Sequence, residues 1–183
     1  VGVSGCVLAT DIDVSRLEGA VSSHVDVRTH DVALDPSPDG PFDLVHARLV
    51  LVHLKERERA FRNMVSTLRP GGWLVVEDAD PALQPVSCLD ACGPGQELAN
   101  RIRRGFRTLL AGRGADLAFG RRLPTLFRQF GLKDIRAEGY FAVAMPECIP
   151  LEIATINMIR DDLVSNGIAT DADIERHLAN VRA

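Results

Sequence analysis

The sequence has little cysteine, no long hydrophobic run and no excess of basic charge. Its four cysteines are irregularly spaced, unlike a disulfide framework, and we expect a protein of the reducing cytoplasm. Cys88 and Cys92 have no further Cys or His clustered nearby, so no metal site is predicted. The longest apolar runs, such as residues 73–76, are too short to cross a bilayer. With a net charge of −4 there is no basic footprint, so we expect neither a membrane nor a nucleic acid as partner.

The composition is typical of one folded globular domain. The 183 residues are 46% hydrophobic and 25% charged, which is enough for one hydrophobic core and too little for two full domains. In the first half, short β-type runs alternate with helical patterns, which predicts an α/β fold of mostly parallel strands. We predict strands at residues 6–10, 25–29, 42–46 and 73–76, the last one fully buried, and a short helix from Ser15. The apolar stripe Phe61, Met64, Val65 and Leu68 predicts another helix, which residues 69–72 end.

The second half has a mainly helical pattern. We predict a loop at 81–95, helical stripes at 98–109 and 123–130, a strand at 134–143, a helix at 149–164 and a last helix capped by Thr170. We expect one domain at residues 1–146, in which 81–118 form a lid or insert, and a C-terminal helical segment of the same domain at 147–183.

The candidate site residues follow the predicted strands, because ligands of open α/β sheets bind at the carboxyl ends of the strands. Asp11 follows the first strand, and a carboxylate there can accept both hydroxyl protons of a ribose, with Ile12 beside it to pack on an adenine face. Asp31 follows the second strand and can accept a bond from an exocyclic amine. The alternative is that Asp11 and Asp31 are only turn and cap residues.

Four segments carry a family resemblance: VLATDID, VRTHDV, GPFDLVHARLVLVHL and MVSTLRPGGWLVVED. In this order they resemble class I S-adenosylmethionine-dependent methyltransferases of the small-molecule type. The resemblance implies a Rossmann-like fold, with a mostly parallel sheet, helices on both faces and C-terminal helices. It also implies S-adenosylmethionine as cofactor, S-adenosylhomocysteine as product and a small molecule as methyl acceptor.

The resemblance assigns roles to individual residues. Asp11 would hold the ribose hydroxyls and Ile12 the adenine face, while Asp31 would bond the adenine amine and the Val32 amide a ring nitrogen. The segment His46, Ala47 and Arg48 would line the end of the third strand near the methionine part and the transferring methyl group. Since a sulfonium methyl is already activated, the protein mainly aligns the acceptor, and His46 and His53 are the candidate proton acceptors. The alternative for both histidines is a purely structural role.

One large departure from the family is the absence of its first strand and Gly-rich loop, D/E-x-G-x-G-x-G. That strand would lie between the strands at 6–10 and 42–46. Three explanations stay open: a fragment, a second chain that fills the gap, or a reduced relative that no longer binds the cofactor in the usual way. Unpaired strand edges favour association, so we expect a homodimer. An exchange of structural elements between the two chains is one way to form it.

The sequence therefore favours a methyltransferase acting on an unidentified small molecule. The alternative is a non-catalytic, dimeric module of the same fold with weak or no cofactor binding, which the missing Gly-rich loop supports. A nicotinamide-dependent dehydrogenase would share the ribose-binding acid, but the chain lacks G-x-G-x-x-G, and LRPGGWLVVED does not suit that class.

Overall fold

The computed structural model describes residues 1–15, 17–84, 86–140 and 146–182. The chain forms two compact units, Val1–Glu77 and Asp78–Ala183. The first contains β1 (Val7–Asp11), β2 (Val25–Thr29), β3 (Phe42–Arg48), α1 (Arg57–Ser66) and β4 (Leu68–Glu77). The second contains α2 (Pro94–Gly112), α3 (Leu123–Gln129), α4 (Ile149–Met158), α5 (Arg160–Ser165) and α6 (Asp171–Arg182). The expected division at residue 146 stays a prediction.

The strands of the first unit form two parallel pairs. In one pair β1 lies beside β2, with Asp11 opposite Thr29. In the other β3 lies beside β4, with Arg48 opposite Glu77. The predicted α/β class with parallel strands is confirmed. Within the described residues, β1 and β3 are each hydrogen-bonded to one neighbouring strand, which is what a parallel sheet retains when a strand between them is missing.

One face of the β3–β4 pair is covered and the other is open. Helix α1 contacts β4, its Phe61 is fully buried, and Leu74 on β4 is largely buried. Side chains alternate along a strand, so Trp73 and Val75 lie on the opposite face from Leu74, and they are 60% and 41% exposed. The prediction that residues 73–76 are fully buried is therefore wrong, since Trp73 and Val75 are exposed and Val76 is half-buried.

Two predicted element boundaries in the first unit are wrong. Helix α1 ends at Ser66 and β4 already begins at Leu68, so Leu68 belongs to the strand and not to the helical stripe. The segment 69–72 forms an irregularity inside β4, because Phe42 pairs with Leu68 whereas Leu44 pairs with Trp73. Gly71 has a φ of +78°, a conformation that glycine adopts without strain. The helix expected from Ser15 is a 3-10 turn of three residues, Glu18–Ala20.

The second unit is a helical cluster with its own core. The buried side chains come from α2, α4, α5 and α6 and the segments that join them: Leu98, Ile102, Ile156, Ile159, Leu163, Ala169, Ile174 and Leu178. The predicted stripes on α2 and α6 thus face the core. The predicted cap of α6 is confirmed, since the hydroxyl of Thr170 accepts the Asp173 N–H and the Asp173 carboxylate accepts the Thr170 N–H, both at 3.2 Å.

Two predictions for the second unit differ from the structure. The single helix expected at 149–164 is two helices, α4 and α5, which meet at Ile159. The strand expected at 134–143 is absent over residues 134–140, which have no strand pairing, and its remainder lies outside the described residues. In the described part of the chain, no helix combines the length and apolar character needed to span a membrane.

Candidate functional site

A cavity of about 600 Å³ lies in the first unit between β1 and β3. Its described lining includes residues of β1 and β3 but none of β2 or β4, so the cavity lies beside one strand of each parallel pair. All the residues singled out from the sequence for the cofactor or for proton transfer line this cavity: Asp11, Ile12, Asp31, Val32, His46, Ala47, Arg48 and His53. The structure thus brings together side chains that are separated by up to 42 positions in the sequence, counted from Asp11 to His53.

Asp11 is held at the carboxyl end of β1 by a tight local turn. Its Oδ1 accepts the backbone N–H of Asp13 at 3.0 Å, and Oδ1 of Asp13 accepts the N–H of Ser15 at 3.0 Å. The next residue, Ile12, is 72% exposed although it is aliphatic. The turn therefore presents a carboxylate and an apolar surface side by side at the rim of the cavity. It also shows that Asp11 has the structural role that was its alternative interpretation.

Asp31 shapes the turn that follows β2. Its Oδ1 accepts the N–H groups of Ala33 at 2.8 Å and Leu34 at 3.0 Å. The same turn is tied to α1, because the side-chain amide of Asn63 donates to the Val32 carbonyl at 2.9 Å. The backbone of Asp31 and Val32 is consequently fixed beside the cavity, and Asp31 has the turn role that was its alternative interpretation.

His46 and Glu77 form a close pair at the carboxyl ends of β3 and β4. Nε2 of His46 lies 2.7 Å from Oε1 of Glu77, and both side chains are about half exposed, at 45% and 56%. His46 lines the cavity, whereas Glu77 is outside the described lining. Local sequence does not link Glu77 to His46. Its partner could be found only from the register of the two parallel strands.

The chain turns sharply after β3 and places a second histidine at the cavity. Leu49 adopts a φ of +53°, which is uncommon outside glycine, and its N–H donates to the Glu77 carbonyl at 2.8 Å. The 3-10 turn Leu51–His53 follows, with Leu51 and Val52 buried and His53 exposed. This turn brings His53 to the same cavity as His46.

The cavity can bind hydrogen-bond donors at the ends of β1 and β2 and can exchange a proton at the end of β3. Asp11 and Asp31 supply carboxylate acceptors at the ends of β1 and β2, and β3 supplies the His46 imidazole and the Arg48 guanidinium. Within the described ranges, no three His, Cys, Asp or Glu side chains lie together as a metal ligand set.

Comparison with known proteins relates the first unit to one family. Residues 4–76 match the model of a family described as a methyltransferase domain. Methyltransferase str3 of Strobilurus tenacellus is 36% identical over 94 residues, which are 50% of this chain and 31% of that protein. The ubiquinone/menaquinone biosynthesis C-methyltransferase UbiE of Citrobacter koseri is 34% identical over 97 residues, 48% of this chain and 38% of that protein. The chain thus spans about a third of the length of these curated relatives.

These matches confirm the resemblance to class I S-adenosylmethionine-dependent methyltransferases that the sequence motifs indicated. They also confirm the Rossmann-like fold class, which the parallel strands and mixed α/β composition of the first unit share. The roles of individual residues at the cavity stay predictions.

Proposed function

We propose that this chain, whose residues 4–76 carry the methyltransferase domain match, transfers a methyl group from S-adenosylmethionine to a small molecule. The observation that carries the proposal is that every residue selected from the sequence for this role lines one cavity. A match to part of a domain, without this convergence, would support the fold alone.

The residues at the cavity fit the cofactor in chemistry. Asp11 can accept the two ribose hydroxyl protons, and the exposed Ile12 offers an apolar surface for the adenine ring. The Asp31 carboxylate can accept a hydrogen bond from the adenine amine, and the Val32 N–H can donate one to a ring nitrogen. Ala47 and Arg48 border the methionine part at the end of β3. When bound, the cofactor supplies a methyl group that is already activated as a sulfonium.

The work left to the protein is orientation and proton transfer. The rigid ends of the strands hold the acceptor near the methyl group, which favours in-line attack. His46 and His53 are the side chains that we propose as acceptors of this proton. We infer a small acceptor because the cavity has a volume of about 600 Å³ and the chain, with a net charge of −4, has no basic excess for a nucleic acid. The four cysteines are free, which supports the cytoplasm as its compartment.

The second candidate function is a non-catalytic module, and the unpaired edges of β1 and β3 favour it. The family's Gly-rich strand would occupy that gap, and with it one wall of the cofactor site. A second copy of the chain is the occupant we propose for the gap, and the open face of Leu44, Trp73 and Val75 offers apolar surface for it to bury. This association is compatible with either function.

The association can be followed through Trp73, the single tryptophan of the chain. We expect sedimentation to give a homodimer and the Trp73 emission to move to shorter wavelength as the protein concentration rises, because its 60% exposed indole becomes buried. The substitution Trp73→Ser should weaken the dimer. A monomer at all concentrations, with unchanged emission, contradicts the proposed partner.

Calorimetric titration with S-adenosylhomocysteine tests the function itself. We expect micromolar binding, which Asp11→Ala weakens at least about tenfold, equivalent to ~1.4 kcal/mol. Asp13→Ala is the matched control, because Asp13 belongs to the same turn but is outside the described lining of the cavity. If the folded chain does not bind, or if both variants lose the same affinity, the enzyme proposal is wrong and the module is favoured.

A further inference from the structure

The pair formed by His46 and Glu77 has the geometry of a base with its orienting carboxylate. On two parallel strands in register, His46 is opposite Val75 and Glu77 is opposite Arg48. Residues two apart share a face, so the two side chains are diagonal neighbours on one side of the sheet. The distance of 2.7 Å between Nε2 and Oε1 is that of a charge-assisted hydrogen bond.

This hydrogen bond decides which ring nitrogen of His46 carries the proton and which one can accept another. An ionised carboxylate only accepts hydrogen bonds, so the Nε2 of a neutral His46 must carry the proton. Nδ1 then holds the lone pair. The backbone of Glu77 is held at the end of β4, since its carbonyl accepts the Leu49 N–H at 2.8 Å. His46 lines the cavity and Glu77 is outside its described lining, as expected of a base and its support.

We propose that Glu77 is a positioning residue that holds the His46 imidazole with Nδ1 as the proton acceptor of methyl transfer. This inference rests on the proposed function. Such a base suits an acceptor that loses a proton during the reaction, and the acceptor we propose is a molecule with an O–H group. The acceptor oxygen forms a bond to the methyl carbon while the sulfur–methyl bond breaks, with its electron pair left on sulfur. The O–H proton moves to Nδ1, and the carboxylate of Glu77 balances the resulting imidazolium charge.

His53 is the competing base, and the structure separates the two. Both histidines line the cavity, but of the two, within the described residues, His46 is the one whose ring contacts a carboxylate. A ring that lacks an orienting group populates both neutral tautomers, whereas an oriented ring keeps one. The tautomer of His46 is therefore a direct readout of the positioning role.

The first arm of the test reads this tautomer by ¹⁵N NMR of the imidazole nitrogens in the chain without ligand, with the His46 signals identified from His46→Gln. At a pH where the ring is neutral, we expect His46 to be the Nε2–H tautomer. Glu77→Ala should mix the two tautomers, and Glu77→Gln should partly restore one, because its amide oxygen still accepts a bond. Asp43→Asn is the matched control: Asp43 pairs with Arg69 at 2.6 Å on the same two strands, and both side chains are exposed.

The second arm measures S-adenosylhomocysteine release with 1,4-dihydroxynaphthalene as acceptor. We expect Glu77→Ala to lower kcat by about 10- to 100-fold, the scale of an impaired general base, with KM and cofactor affinity within about twofold. His46→Gln should lose at least as much, and the double variant should lose no more than His46→Gln alone. Asp43→Asn should keep wild-type kcat.

The two arms separate the failure of this inference from the failure of the function. Tautomers unaffected by Glu77→Ala overturn the positioning role, as does an equal loss of kcat in Asp43→Asn. Wild-type protein that binds no S-adenosylhomocysteine contradicts the methyltransferase, and the NMR arm then decides alone whether Glu77 orients His46.

Discussion

Gly105, in the middle of α2, offers the sharpest test of the packing in the second unit. A Cβ added at this position would lie 2.3 Å from Cγ2 of Ile168 and 3.2 Å from Cδ2 of Leu163. Leu163 is fully buried, and Cγ2 of Ile168 is attached directly to its Cβ, so neither group can move away without a shift of the core. Alanine favours the helix by about 1 kcal/mol over glycine, whereas an extra methyl group in a well-packed core costs about 1–3 kcal/mol.

We therefore expect Gly105→Ala to lower the free energy of unfolding by up to about 2 kcal/mol, the overpacking cost minus the gain in helix propensity. Gly112→Ala is the control on the same helix, because a Cβ there meets no atom within 4 Å. That variant should be neutral or more stable by up to about 1 kcal/mol. Urea unfolding followed by far-UV circular dichroism measures both. If Gly105→Ala is as stable as Gly112→Ala, α2 does not pack against Ile168 as described.

Two further predictions concern polar groups of the second unit. The imidazole of His177, 3.5 Å from the Glu152 carboxylate, lowers the pKa of Glu152 below its ordinary 4.5. This carboxylate therefore stabilises the fold above pH 4.5, and its contribution is lost as the pH falls through the lowered pKa. Unfolding measured from pH 7 to pH 3 should show a smaller acid-induced loss in Glu152→Gln, and identical pH profiles would refute the coupling. Asn100, 7% exposed, bonds both backbone groups of Cys88, at 2.8 and 2.7 Å. Asn100→Ala should cost about 1–3 kcal/mol and speed the reaction of Cys88 with a thiol reagent relative to Cys148, and an unchanged rate would contradict this anchor.

The candidate site was predictable because its residues sit at strand ends, which local sequence marks well. Asp11 and Asp31 each end a short β-type run, and the rule that ligands bind at the carboxyl ends of strands supplies the rest. Glu77 could not be assigned a partner in the same way. Its contact with His46 depends on the register of two strands that are 31 positions apart in sequence, and no periodicity encodes that register.

The errors in the fold share a physical cause. A continuous apolar run such as residues 73–76 is typical of a strand covered on both faces, but the run does not tell whether a covering element is present. Trp73 is exposed because α1 covers only the other face. Likewise Leu68 continues the helical spacing of Phe61 and Met64, yet it pairs with Phe42, because strand pairing outweighs one further turn of helix.

The cavity has two ends of different character, and this bears on how binding and association are related. Leu8 and Phe42 lie toward the amino ends of β1 and β3 and form the apolar end, whereas Asp11 and His46 lie toward the carboxyl ends of these strands and form the polar end. The polar end is set by local bonds, such as that between Asp11 and the Asp13 N–H, which do not need a strand in the gap. A strand from a second copy would fill the apolar end and leave the polar end accessible. On the proposed function and association, we therefore expect ligand binding and dimer formation to stabilise each other, since each would reduce the freedom of the same cavity walls.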